Sequence, residues 1–196
     1  MGVKLISASA GSVEIVAPAT ASNYTATMPA GTGNVVVNGI NSSIVSGTSQ
    51  ASTSGTSIDF TGIPSWVKRI TVALNEVSLN ATVTLIVQIG STTFTTTGYK
   101  SGVGYTGTGT AAANPTAGYG VANSLGATNI FSGLVTLVLV GSNIWTASSA
   151  GGLSDSAFSF AGGGSLSLGA TLDRVRITTI AGTATFDAGS INILYE

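Results

Sequence analysis

The sequence lacks several of the side chains on which protein chemistry most often depends. Its 196 residues include neither cysteine nor histidine. Without cysteine the chain has no disulfide framework, no thiolate metal ligand and no thiol redox chemistry. Without histidine it lacks the commonest general base and the commonest imidazole metal ligand. We therefore predict no metal, no cofactor and no enzymatic activity.

Charge is also scarce. Charged residues make up 7% of the chain and the net charge is -1, whereas about 25% charged residues is usual for a soluble domain. Because there is no basic patch, nucleic acid is not an expected partner. A surface of Ser, Thr, Gly and Ala in place of charges has little electrostatic repulsion to keep copies apart. This composition predicts a subunit that packs against its neighbours.

Long hydrophobic runs are missing too, although 43% of the residues are hydrophobic and the mean hydropathy is +0.49. A run such as "LVTLVLV" (134–140) is far shorter than the about 20 residues that a membrane-spanning helix needs. No segment has the pattern of an amphipathic membrane helix, and no long apolar stretch follows Met1. We therefore expect neither membrane insertion nor a secretory signal.

The first 57 residues differ in composition from the rest of the chain. Residues 1–40 contain β-prone runs closed by proline, "VEIVAP" (13–18) and "YTATMP" (24–29), with few bulky side chains for a core. We predict an extended N-terminal β arm that lies on another surface. In residues 41–57, 12 of 17 residues are Ser, Thr or Gly. That composition is typical of a flexible linker or an extended connector, the alternative being an ordinary surface loop.

Residues 58–196 have the pattern of short β-strands. In "WVKRITVALNEV" (66–77), apolar residues alternate with polar or small ones, and "ATVTLIVQIG" (81–90) follows after what we interpret as a hairpin connection. "GLVTLVLVG" (133–141) is apolar on both faces, as expected of a central strand covered on both sides. At least eight such runs predict an all-β domain with almost no helix. We expect an antiparallel β-sandwich with jelly-roll-like topology, with its last strand inside the sandwich or at its edge.

One glycine-rich stretch (97–129) interrupts this pattern. It has eight glycines in 33 residues and three of the five tyrosines. Glycine permits unusual backbone geometry, and tyrosine supplies rigid contact area of the kind that binding loops use. The stretch is either a display loop that touches a ligand or receptor, or an excursion packed against a sister subunit. The candidate contact residues are Tyr99, Lys100, Tyr105 and Tyr119.

Three segments give the chain a resemblance to known proteins. "TGIPSWVKRITVALNEVSLN" (61–80), "LDRVRITT" (172–179) and "GTATFDAGSINILYE" (182–196) resemble a family of bacteriophage and prophage virion proteins. "GSVEIVAPATASNYTATMPAGTGNVVV" (11–37) is similar to a pattern that opens many phage appendage proteins. The resemblance implies a virion protein that forms trimers and is fastened to the particle by its N-terminal arm. The candidate attachment residues are Val13, Ile15, Pro18, Tyr24 and Pro29.

Pro64 and Trp66 stand just before the first long strand. Proline fixes the backbone at the corner, and we expect a buried indole to anchor it, the alternative being a tryptophan that stacks on a sugar.

The few charges are concentrated near two predicted strands. Arg174 and Arg176 fall on one face of their strand because side chains alternate along a strand. In so uncharged a chain we expect arginine–carboxylate contacts to be structural, between strands or between subunits. A receptor-facing basic spot, or a catalytic or calcium role for the acids, is the alternative. The candidate charge contacts are Lys68, Arg69, Asp173, Arg174, Arg176 and Asp187.

The sequence thus predicts a non-enzymatic, oligomeric structural protein located in the virion. Its short length favours a capsid decoration, cement or head-fibre protein that contacts other virion proteins. A tail-fibre or tail-tip protein that contacts the host surface, including a surface glycan, is the first alternative. A carbohydrate-binding module is the second.

Overall fold

A computed structural model describes residues 44–196, which form fourteen β-strands and no helix. The predicted arm (1–40) lies outside the described residues. In chain order the strands are β1 (Val45–Ser46), β2 (Gln50–Ala51), β3 (Ser57–Thr61), β4 (Arg69–Leu79), β5 (Val83–Ser91), β6 (Thr93–Phe94), β7 (Lys100–Thr106), β8 (Thr110–Ala113), β9 (Tyr119–Leu125), β10 (Phe131–Gly141), β11 (Ile144–Leu153), β12 (Ser159–Ser167), β13 (Arg174–Thr179) and β14 (Phe186–Tyr195).

The strands form two sheets, and all of their pairings are antiparallel. The nine-stranded sheet has the order β1-β14-β4-β10-β11-β12-β7-β8, with β2 also paired to β14. The five-stranded sheet has the order β3-β13-β5-β6, with β9 also paired to β5. Buried residues from both sheets form one hydrophobic core. The prediction of an all-β antiparallel fold is confirmed, and the arrangement is consistent with a β-sandwich.

The alternation predicted for β4 is observed. Ile70, Val72 and Leu74 are buried, whereas Arg69 on the opposite face is exposed. Each large apolar side chain that is buried in this way stabilises the fold by about 1.5–3 kcal/mol. The strand therefore has a fixed register, because a slip by one residue would turn its apolar side chains to solvent.

The predicted hairpin between β4 and β5 is wrong. The two strands belong to different sheets, since β4 lies between β14 and β10 while β5 pairs with β13. The turn between them is tied to the segment before β14: the backbone nitrogen of Asn80 donates to the carbonyl of Thr185 at 2.9 Å. The side-chain Oδ1 of Asn80 accepts from the nitrogen of Thr185 at 2.9 Å. These bonds direct the chain across the core instead of back along β4.

Part of the predicted linker (41–57) is joined to the nine-stranded sheet. Both β1 and β2 pair with β14. Ser52, which follows β2, is fully buried, and its hydroxyl donates to the carbonyl of Ala188 at 2.9 Å. With β4 on its other side, β14 therefore lies inside the sheet and not at its edge.

The predicted loop 97–129 is wrong as a loop, because most of it is built into strands β7, β8 and β9. Glycine in the neighbouring strand β12 allows β9 to approach closely. A Cβ added at Gly162 would lie 2.7 Å from the carbonyl oxygen of Gly120 on β9 and 2.7 Å from the hydroxyl of Ser149 on β11. The glycines in this region thus let two sheets come close together where side chains would hold them apart.

Candidate interaction surfaces

Paired charges lie on the outer face of the five-stranded sheet. We call them, with the phenyl ring that they touch, the arginine cluster: Asp59, Phe94, Asp173, Arg174 and Arg176. The two arginines alternate along β13 with residues that are fully buried, as the sequence predicted. The arginine cluster therefore lies on the side of the five-stranded sheet that faces away from the core.

Arg176 is held from two sides. Its Nε and Nη2 donate to Oδ1 and Oδ2 of Asp59, each at 2.7 Å, and the two residues are direct partners across β13 and β3. The guanidinium carbon lies 4.0 Å from the centre of the Phe94 ring. The bond to Asp59 raises the pKa of Arg176. Bidentate pairing and ring contact together fix this side chain in a single position.

Asp173 joins its neighbour Arg174 to the turn before β6. Its Oδ1 accepts from Nε of Arg174 at 2.7 Å, and the same carboxylate accepts from the backbone nitrogen of Thr92 at 3.1 Å. The hydrogen bond from Arg174, above all, lowers the pKa of Asp173. The contacts of the arginine cluster all lie within this chain, so a contact between subunits stays a prediction for these residues.

The other predicted charges lie elsewhere. Arg69 forms an ion pair with Glu196, and the backbone nitrogen of Lys68 donates to the carbonyl of Glu196 at 2.7 Å. Asp187 is exposed at an irregularity in the pairing of β14. Within residues 44–196 the side chains of Lys68 and Asp187 form no ion pair. The carboxylate that pairs with Arg176 belongs to Asp59, which was not among the predicted charge contacts, whereas Asp187 was.

The corner before β4 is a tight turn, in which the carbonyl of Pro64 accepts from the nitrogen of Val67 at 3.1 Å. The prediction of a buried Trp66 is wrong, because this residue is 52% exposed. The turn directs Ile63 and Val67 into the core instead, where they are buried. The indole lies against Tyr195, with 5.9 Å between ring centres and an interplanar angle of 49°.

Tyr99 and Tyr119 are core residues, so the prediction that they are contact residues of a display loop is wrong. Both are buried, and their rings meet edge to face with centres 4.9 Å apart. The hydroxyl of Tyr99 accepts from the nitrogen of Ile89 at 2.7 Å, and that of Tyr119 donates to the carbonyl of Trp145 at 2.9 Å. Burial raises the pKa of both phenols.

Tyr105 and Lys100, the other two candidates from that stretch, are both on β7. Tyr105 is half-buried, with its ring centre 5.6 Å from that of Phe158 and 5.9 Å from that of Phe160. Lys100 is exposed. An open groove of about 470 Å³ runs beside Tyr105, lined by β7, β8 and β12. Most of its remaining lining is Thr, Ala, Gly and Ser, which gives it little chemical character.

The candidate attachment residues lie outside the residues that the structure describes. They are Val13, Ile15, Pro18, Tyr24 and Pro29.

The outer side of β10 and β11 is the surface that the sequence interpretation missed. The prediction that β10 is covered on both sides is wrong: Leu134 is 52% and Val140 69% exposed. We call this surface the hairpin face, and its members are Leu134, Thr136, Val138, Val140, Ile144 and Thr146. The signal was present in "LVTLVLV", which is apolar at both odd and even positions. A strand that buries only one face needs apolar residues at only the odd or only the even positions.

A two-residue turn positions the hairpin face. Ser142 and Asn143 both have positive φ, 48° and 59°, which is the geometry of the turns that follow the natural twist of paired strands. The turn brings Ile144 back beside Gly141. On β11, exposed residues then alternate with buried ones from Ile144 to Ala150.

The described residues offer little to catalysis. Within residues 44–196 no group of three or more acidic side chains could hold a metal ion. Asp59 and Asp173 are already engaged by arginines. The part of the chain that the structure describes contains no helix, and therefore none that could cross a membrane.

Comparison of the chain with protein-family models, with curated proteins and with solved structures gives no match.

Proposed function

We propose that this protein is a non-enzymatic structural subunit of a bacteriophage virion that associates with copies of itself. The observation that carries the proposal is the hairpin face, an exposed apolar surface on a domain with very few charges. Monomeric soluble proteins rarely expose a large contiguous apolar patch, and such patches mark sites of protein association. The phage assignment rests on the resemblance of the sequence segments.

Two of those segments are adjacent in the fold, which supports their treatment as one unit. Residues 61–80 contain β4 and residues 182–196 contain β14, and these strands pair along most of their length. We also propose a jelly-roll-like connection of the strands, since the chain passes from one sheet to the other between β4 and β5. Residues 1–40 are proposed to act as the attachment arm, and the oligomer to be a trimer.

The favoured location is the capsid, as a decoration, cement or head-fibre protein. A tail-fibre or tail-tip location is the alternative. The test uses heads and tails purified from particles that lack this protein, each incubated with the full chain and then sedimented. We expect the chain to pellet with heads. Pelleting with tails would favour the fibre function, and pelleting with neither would overturn the proposal of a virion protein.

A variant tests the arm in the same assay. Val13→Asp combined with Ile15→Asp places charges in one β-prone run of residues 1–40. We expect this variant to keep the mass of the wild type in solution but to lose sedimentation with particles. Unchanged sedimentation would remove these residues from the attachment site.

One observation favours carbohydrate binding as a second candidate function. Trp66 is 52% exposed and lies beside Tyr195, and exposed aromatic rings stack on sugar faces through apolar contact. The test is binding to host surface glycans, with Trp66→Ala beside the wild type. Binding that Trp66→Ala abolishes would support this function, and absence of binding by the wild type would reject it.

A further inference from the structure

The exposed apolar side chains of the described residues are unevenly distributed. Seven large hydrophobic residues are exposed in residues 44–196, and four of them belong to the hairpin face: Leu134, Val138, Val140 and Ile144. Of the other three, Ile44 and Trp66 both lie near Tyr195, and Ile180 follows β13 of the other sheet. An even scatter needs no explanation, but a cluster on two paired strands does.

The surroundings of the hairpin face are small and uncharged. On β4 the partner of Leu134 is Ala73, and on β11 it is Ala150. Thr136 is flanked by Thr71 and Ser148. Short side chains on neighbouring strands allow another sheet to approach to about 10 Å, the usual spacing of packed sheets.

The charges nearest the hairpin face lie on neighbouring strands, and β4, beside β10, contains both Arg69 and Glu76. On one side Arg69 is the partner of Val138 and pairs with Glu196. On the other side Lys100 stands two strands away from β11, on β7. An interface with an uncharged centre and charges at its rim is the arrangement found at stable protein contacts.

The surface is large enough for a stable contact. Five neighbouring strands, from β14 to β12, spaced about 4.8 Å apart and each presenting about eight residues at about 3.4 Å per residue, cover on the order of 600 Å². A stable interface buries about 800 Å² on each partner. The hairpin face itself spans only the two strands β10 and β11, so a stable contact centred on it would extend over the neighbouring strands β14, β4 and β12.

We infer that the hairpin face packs against the hairpin face of another copy of this chain around a symmetry axis. This inference rests on the homo-oligomer of the proposed function and assigns its contact surface. A second copy fits because the hairpin face itself carries no charge, so it can meet its equivalent with no like charges opposed at the centre of the contact. The apolar stripe of β10 then meets an equivalent stripe.

The first experiment measures the mass of the full chain in solution over a range of concentrations. A face that packs against its equivalent does so about a two-fold axis, so we expect twice the chain mass of 19.2 kDa or an even multiple of it. A mass of three chains would favour the trimer but overturn the contact of the hairpin face with itself. Leu134→Lys places a charge in the centre of the contact and should weaken association by about 100-fold. Ile180→Lys is the matched control: Ile180 is 44% exposed, close to the 52% of Leu134, but it follows β13 of the other sheet. The control should keep the wild-type mass, and both variants should keep the far-ultraviolet circular dichroism spectrum of the wild-type β fold.

The second experiment uses the absence of cysteine from the chain. A single thiol introduced as Leu134→Cys should react slowly with a maleimide in the oligomer and rapidly after dilution to the monomer. Ile180→Cys should react rapidly at every concentration. If the thiol at position 134 is protected at every concentration, the chain covers its own face, and the inference is overturned.

The outcomes separate this inference from the proposed function. An oligomer whose mass Leu134→Lys leaves unchanged overturns the inference and leaves the proposed function intact. A wild-type chain that is a monomer at every concentration overturns the inference and removes self-association from the proposal. An oligomer that Leu134→Lys dissociates, but that sediments with no part of the particle, supports the inference and rejects the virion function.

Discussion

The outer faces of the two sheets differ in how they are completed. On the five-stranded sheet the chain supplies its own partners: Asp59 and Phe94 hold Arg176, and the amide of Gln88 donates to the carbonyl of Ala117 at 2.9 Å. On the nine-stranded sheet the hairpin face has apolar side chains and no described segment over them. The outer face of the five-stranded sheet is completed by contacts among the described residues, whereas the hairpin face is not.

This difference explains how so few charges are distributed. The arginine cluster uses charges as internal connections between β3, β13 and the turn before β6. In the nine-stranded sheet the strands β10, β11 and β12 contain no charged residue, whereas the neighbouring β4 contains Arg69 and Glu76. Charged residues are therefore unevenly distributed over the molecule, and they are fewest where we place the contact between copies.

The largest loss of unfolding free energy is expected from a substitution on the inner side of the nine-stranded sheet, compared with a matched substitution on its outer side. Gly162→Ala adds a methyl group on the inner side, where the carbonyl of Gly120 lies 2.7 Å from the new Cβ. It should cost about 2–3 kcal/mol of unfolding free energy, measured by urea denaturation, because β9 has to move. Gly102→Ala is the control on the outer side, with no atom within 4 Å of its Cβ. An equal loss in both variants would contradict an open outer face.

The next largest loss of unfolding free energy is expected when one arginine is removed from the outer face of the five-stranded sheet, compared with one removed from the outer face of the nine-stranded sheet. Arg176→Ala removes a bidentate ion pair and a ring contact, and should lower the unfolding free energy by about 1–2 kcal/mol. Arg69→Ala removes one exposed ion pair, with the arginine side chain 53% exposed, and should cost about 0.5 kcal/mol or less. Thermal unfolding of both variants gives the answer. A larger loss for Arg69→Ala would mean that the outer face of the nine-stranded sheet is also completed from within.

A smaller effect, of opposite sign, is expected beside the arginine cluster. Thr92 has a φ of 65°, a conformation that is strained for a β-branched residue and free of strain for glycine. Thr92→Gly should therefore raise the unfolding free energy by about 1 kcal/mol. Thr93→Gly, one residue further along in β6, has no such strain to relieve and should lower it. A loss in both variants would show that the relief of strain at position 92 is smaller than the entropy that glycine adds to the unfolded chain.

The smallest change in stability is expected from the protonation of Asp173 at low pH. The folded protein holds the pKa of Asp173 below its usual value, so this carboxylate stabilises the fold fully above its unfolded pKa of about 3.9. That stability is lost as the pH falls through the folded pKa. Asp173→Asn should flatten the acid limb of a plot of melting temperature against pH. Identical acid limbs in the wild type and Asp173→Asn would refute the role of this group.

The sequence was sufficient for features set by local alternation. The β class, the burial of Ile70, Val72 and Leu74, and the common face of Arg174 and Arg176 all follow from a period of two residues. The connection from β4 to β5 could not be predicted, because it depends on bonds from Asn80 to Thr185, more than a hundred positions away. A short turn between two strands does not reveal whether the chain pairs back or crosses the core.

The surface residues were misjudged for a related reason. Tyr99 and Tyr119 appeared available because glycines surround them, yet those glycines belong to strands that pack closely. Trp66 appeared to be the natural anchor of its corner, yet the turn from Pro64 to Val67 gives the smaller Val67 the buried place. Composition indicates what a residue can do, whereas the register of distant strands decides which residues meet the core.

The position of β14 has a consequence for how the protein is made. This strand follows all the others of the described chain, yet it lies between β4 and the strands β1 and β2. Until residues Phe186–Tyr195 leave the ribosome, the nine-stranded sheet has a gap, with the backbone edges of β4 and of β1 and β2 unpaired. Contacts between such distant segments form slowly, and unpaired edges favour aggregation. Each growing chain therefore keeps the edge of β4 open until β14 is synthesised, and we expect aggregation to compete with folding most strongly in that interval.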